Sequence, residues 1–132
     1  VVSFDGDMDK LNFSDRMFFD QIKAFTGQQL PYATLMYIWE NRVPRDTVIP
    51  NRHTGRIKMI VADSGRERVG RWQEETRNVY DDFRRAFGEE PGRIIAVGIM
   101  TETGNTGENV HAYYGDITFK RIAPARKVLA SD

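Results

Sequence analysis

Apolar positions recur along this chain in two periods, and each change of period marks a change of element. Val1-Val2-Ser3-Phe4 opens as a strand and runs into the turn-forming stretch Asp5-Gly6-Asp7-Met8-Asp9. Phe18, Ile22 and Phe25 then fall at i, i+4 and i+7 with Met17 beside them, which predicts a helix over residues 15–26. Ser14 offers its start, Asp15 suits the first turn, and Gly27 supplies the left-handed stop. From Tyr32 to Trp39 the chain is aromatic, β-branched and apolar on both parities, as a central strand would be. Arg56 to Ala62 begins with polar/apolar alternation and predicts a strand with one packed face. Between them, Val43 to Gly55 reads as a long loop punctuated by Pro44 and Pro50.

A further strand is expected at Glu67 to Glu74, after which the helical period returns. Val79, Tyr80, Phe83, Ala86 and Phe87 follow an Asn78 cap, with Asp81 and Asp82 early and Arg84 and Arg85 late. Gly88 and Pro91 end that helix. Ile94 to Met100 and His111 to Phe119 look like adjacent strands joined by a long loop rich in turn formers. The strands do not alternate regularly with helices, which disfavours a doubly wound parallel sheet. The expected fold is mainly β: a two-sheet, jelly-roll-like β-sandwich with two helical insertions. One such domain is expected over residues 1–122, with a flexible basic tail at 123–132.

Composition narrows the function classes. Of 132 residues, 19 are basic and 19 acidic, so no net field draws the chain onto nucleic acid. No apolar run approaches the ~20 residues that cross a bilayer as a helix. The cysteine count of 0 rules out disulfides, thiolate metal sites and a cysteine nucleophile.

Several stretches together resemble a bacterial family of unknown function whose members are usually exported. They are Leu30-Pro31-Tyr32-Ala33-Thr34, Tyr37-Ile38-Trp39-Glu40-Asn41-Arg42, Phe87-Gly88-Glu89-Glu90-Pro91, Met100-Thr101 to Glu108, and Tyr114-Gly115-Asp116-Ile117. The resemblance implies a periplasmic or secreted protein matching the C-terminal part of its relatives. The expected sandwich would then lack its N-terminal strands, to be completed by the missing segment or by a partner chain. A weaker likeness links the last two predicted strands to jelly-roll carbohydrate-binding modules, in which an acidic residue of the last strand helps hold a structural calcium. That likeness points to Asp116.

The candidate chemistry is sparse. Asp5, Asp7 and Asp9 alternate like the start of a calcium loop, but Lys10 stands where its glycine belongs and Arg16 where its bidentate glutamate belongs, which excludes an EF-hand. His53 and His111 have no local partners, so neither a hydrolytic triad nor a histidine metal site is indicated. Glu40, Glu74, Glu102, Glu108 and Asp116 sit near predicted strand ends, where a glycosidase pair could be drawn. Trp39 beside Asn41 and Arg42 offers an aromatic plate with directional polar groups, which suits a sugar ring. The expectation is a non-catalytic envelope or extracellular binding module for a glycan. Trp39, Asn41 and Arg42 would be its contacts, followed by Tyr37, Tyr114 and Glu108, with Asp116 as a calcium ligand. The alternatives are a carbohydrate-active enzyme using a carboxylate pair, and a structural subunit completed by a partner chain.

Overall fold

The computed structural model describes residues 1–122; the predicted flexible tail lies outside the described residues. Two compact units divide the chain, Val1–Met100 and a second beginning at Thr101. The first holds one open five-stranded sheet and two helices. Its strands are β1 (Val2–Phe4), β2 (Ala33–Glu40), β3 (Val48–Pro50), β4 (Ile57–Ser64) and β5 (Ile94–Val97), in the spatial order β3-β4-β2-β1-β5. The mainly β expectation holds at this level, and β2 is central as its two-sided apolar pattern required. A second sheet packed on the first, as a sandwich needs, is not found among the described residues.

The pairing is mixed. β1 runs antiparallel to β2 and β5, β3 antiparallel to β4, and β2 parallel to β4. A parallel pair needs a long connection, and here the stretch between β2 and β4 carries β3 on its way. Pro44 and Pro50 gave that stretch the look of a loop. Pro50 nevertheless pairs with Lys58, which is tolerated because β3 is an edge strand and one missing N–H there costs little.

Both helices begin and end on local chemistry. α1 (Phe13–Thr26) starts two residues earlier than its stripe suggested, because the Asn12 side chain, not Ser14, caps it by accepting from the Asp15 amide at 2.8 Å. Gly27 closes it at φ 72°. α2 (Val79–Phe87) is capped by Asn78, whose side chain accepts from the Asp81 amide at 3.1 Å, and is closed by Gly88 at φ 70°.

α2 covers the sheet face that carries Val2, Phe4, Ala33, Leu35 and Ile60. Phe83 is 1% exposed; its ring lies 4.6 Å from that of Phe4 and 4.5 Å from that of Phe87. Burying an aromatic of that size contributes roughly 1.5–3 kcal/mol. α1 is tied to the β3–β4 turn: buried Asp15 accepts from the Thr54 hydroxyl at 2.6 Å and the Gly55 amide at 3.0 Å, and Phe18 stacks on His53.

Two expected strands do not form. Glu67 to Glu74 makes turns and irregular structure, with Gly70 at φ 79° and Trp72 75% exposed. Both edges of β4 are already taken, by β3 and β2, so this stretch cannot pair with the strand it follows. It is held instead by polar ties such as Arg68 to Asp63 at 3.3 Å. In the second unit, His111 to Phe119 carries neither helix nor strand and is exposed along its length. One short 3₁₀ turn, Gly104–Thr106, is present there. β5 itself stops at Val97, three residues before the apolar run ends at Met100.

Candidate functional site

The residues expected to bind a ligand divide between the two units. Trp39 is the penultimate residue of β2 and is exposed, and Asn41 and Arg42 follow the strand in an exposed bend where the Arg42 amide donates to Glu40 Oε1 at 3.2 Å. Tyr37 is turned inward. Its hydroxyl donates to Asp82 Oδ2 at 2.7 Å, and burial first, then that hydrogen bond, raises its pKa well above the usual phenol range. Asp82 is buried and also accepts Nε and Nη2 of Arg77, both at 2.9 Å, while Arg77 Nη1 reaches Asp46 Oδ1 at 2.6 Å. This network is satisfied internally and joins β2 to α2.

Tyr114, Glu108 and Asp116 belong to the second unit. Tyr114 shares a 2.6 Å hydrogen bond with the Thr101 hydroxyl, Asp116 is exposed, and Glu108 lines a shallow recess of about 460 Å³ with Glu102 and His111. Among the described residues no three His, Asp or Glu side chains are grouped to hold a metal ion.

A smaller and more enclosed cleft, of about 290 Å³, opens in the first unit. Asp5, Gly6 and Asp7 lead out of β1, Lys10 closes the 3₁₀ turn Met8–Lys10, Tyr32 leads into β2, and Glu89, Glu90, Pro91 and Gly92 lead out of α2. Two glycines let these segments approach. A Cβ on Gly6 would lie 2.0 Å from the Tyr32 ring, and one on Gly92 would lie 2.0 Å from the Asp5 carbonyl oxygen. The Asp5 amide donates to the Arg93 carbonyl at 2.8 Å, which continues the β1–β5 pairing into the rim.

The walls carry four carboxylates, one ammonium and one phenol. Three of the carboxylates have cationic partners outside the lining: Glu89 pairs with Arg56 at 2.6 Å, Glu90 with Arg84 at 3.3 Å, and Asp5 with Arg93 at 3.8 Å. Glu90 also accepts a short hydrogen bond from the Tyr80 hydroxyl. Among the described residues Asp7 and Lys10 have no ion pair; Asp7 Oδ1 caps the 3₁₀ turn through the Asp9 amide at 3.0 Å. Burial first, and the neighbouring Glu89 and Asp7 charges against the pull of Arg56, raise the Tyr32 pKa, so its hydroxyl stays neutral at ordinary pH. The set is rich in carboxylate acceptors, with the Lys10 ammonium and the Tyr32 hydroxyl as its side-chain donors. That arrangement matches a ligand that brings several hydroxyl or amine donors.

Of these residues the sequence compared Asp5 and Asp7 with the start of a calcium loop and set that aside, and it passed over Tyr32, Glu89 and Glu90 as binding groups. The available signal was weak: two acidic turn-like stretches, Asp5-Gly6-Asp7 and Glu89-Glu90-Pro91-Gly92, each with a glycine. Only the pairing of β1 with β5 brings them together.

No curated protein and no solved structure matches the chain. Residues 1–118 match the family described as "Protein of unknown function (DUF3047)", and the chain belongs to that family.

Proposed function

We propose that this protein is a non-catalytic binding module that takes a small, hydroxyl-rich ligand of the sugar class in the cleft between Asp7, Tyr32 and Glu90. The observation that carries this reading is the cleft's donor and acceptor balance: four carboxylates and a neutral phenol face a single ammonium. Carboxylates are strong directional acceptors for sugar hydroxyls. The volume, about 290 Å³, lies at the lower end of ligand pockets and suits one ring rather than a polymer. Resemblance to a usually exported family supports placing the module at the cell envelope or outside the cell, where glycans are displayed. The exposed apolar side chains of β5, Ile94, Ile95 and Val97, support reading the open sheet as one layer of a sandwich, because such an edge is normally covered.

The test is an amide NMR titration with methyl glucoside, methyl glucosaminide and methyl glucuronide. Shifts at Gly6, Lys10, Tyr32 and Gly92 are expected with the first two sugars, and the anionic glucuronide should bind weakest. Asp7→Asn should weaken binding about tenfold, the effect of one lost charge-assisted contact. Absence of shifts at millimolar sugar, or shifts confined to Trp39 through Arg42, would overturn this placement.

A further inference from the structure

We infer that Arg56 is the positioning residue of the cleft, the single side chain that sets the relative placement of its Tyr32 and Glu89 walls; this rests on the cleft being the binding site. Arg56 does not line the cleft. Its guanidinium lies behind it, its side chain 12% exposed, and engages two chain segments at once, Tyr32 and the end of α2. Nε donates to the Tyr32 carbonyl at 3.0 Å and Nη2 to Glu89 Oε1 at 2.6 Å. The guanidinium carbon sits 4.1 Å from the Tyr32 ring centre and 5.1 Å from that of Phe87, so the cation is held against both rings.

The backbone beneath this side chain is anchored on both sides. The Arg56 carbonyl accepts from the Thr34 amide at 2.9 Å, just before the β2–β4 ladder begins. The Arg56 amide donates to the Thr54 hydroxyl at 3.1 Å, and that hydroxyl donates to buried Asp15. A root fixed in this way makes the guanidinium a rigid reference for what it touches. The Tyr32 ring consequently lies against the guanidinium and close to the bare backbone of Gly6. Glu89 follows the left-handed Gly88 at the exit of α2, where the backbone alone would let its carboxylate turn to solvent. Arg56 holds that carboxylate inward, and with it the end of α2.

Lysine cannot replace this arrangement. A single ammonium has neither the fork that reaches a carbonyl and a carboxylate together nor the plane that packs on aromatic faces. Arg56→Lys keeps the charge and most of the aliphatic stem, so it separates positioning from charge balance.

The experiment compares Arg56→Lys with wild type in two arms, both corrected for the folded fraction measured by urea denaturation. Without ligand, the amide and ring resonances of Gly6, Tyr32, Glu89 and Gly92 should move in Arg56→Lys while those of α1 stay in place. With methyl glucosaminide as probe, affinity should fall about tenfold at equal folded fraction. Arg84→Lys, which alters the exposed partner of Glu90, should change the probe affinity less than Arg56→Lys does. Unchanged Tyr32 and Glu89 resonances in Arg56→Lys would overturn the inference, as would wild-type affinity for the probe. If the wild type binds none of the sugars, the functional reading fails on its own, and the ligand-free arm still decides the role of Arg56.

Discussion

Replacing Arg77 by alanine strips a buried carboxylate of its cation, and the cost can be worked from the geometry. Asp82 is 7% exposed and accepts two Arg77 donors, both at 2.9 Å. Removing one partner of a buried ion pair costs about 3–5 kcal/mol, because the remaining charge is left without compensation. Two features place Arg77→Ala at the lower end, about 3 kcal/mol. The Tyr37 hydroxyl still donates to Asp82 at 2.7 Å, and Arg85 Nη2 lies 3.8 Å from it. With a urea m-value of about 1.5 kcal/mol/M for a unit of this size, the denaturation midpoint should fall by about 2 M. Asp82→Asn in the Arg77→Ala background removes the stranded charge and should recover part of that loss. Double-mutant analysis then isolates the coupling between the two side chains. A loss under about 1 kcal/mol for Arg77→Ala, the range of an exposed pair, would refute the argument that burial makes this contact strong.

Tyr37 gives the fold an alkaline limb. Its folded pKa lies above the unfolded value of about 10, so its contribution is complete below pH ~10 and is lost as pH rises above that. Tyr37→Phe should flatten the loss above pH ~10 in urea titrations and cost about 1 kcal/mol at neutral pH through the lost hydrogen bond. Tyr32 and Tyr80 shift in the same direction, so the limb should weaken without vanishing. Gly92→Ala brings a Cβ within 2.0 Å of the Asp5 carbonyl oxygen and should destabilise the unit by about 1–3 kcal/mol. Hydrogen exchange should then show faster opening of the Asp5 amide than of the β2–β4 ladder, and equal protection in mutant and wild type would count against that close approach.

The helices were legible in the sequence because their determinants are local. The Asn78 cap, the Val79, Tyr80, Phe83 and Phe87 stripe and the Gly88 stop lie within a few turns of one another, and α2 forms from Val79 to Phe87. Central β2 was legible for a related reason, the two-sided apolar pattern of its side chains, whereas β4, expected to pack one face, buries the adjacent Ile60 and Val61, one on each face. Whether an apolar stretch becomes a strand is another matter, because a strand is completed only by a partner remote in the chain. Val48–Pro50 pairs despite its proline since β4 leaves an edge for it, while Glu67 to Glu74 finds both edges of β4 occupied. The cleft follows the same physics. Its acidic turns, its tyrosine and the arginine behind them are separate local features, brought together by β1 pairing with β5 and by α2 ending above Arg56. The sequence by itself determined a charge-balanced, mainly β chain with two capped helices. Only the tertiary structure decided which strands pair, that Tyr37 faces inward to Asp82, and where the polar groups converge, because those outcomes depend on contacts between distant residues.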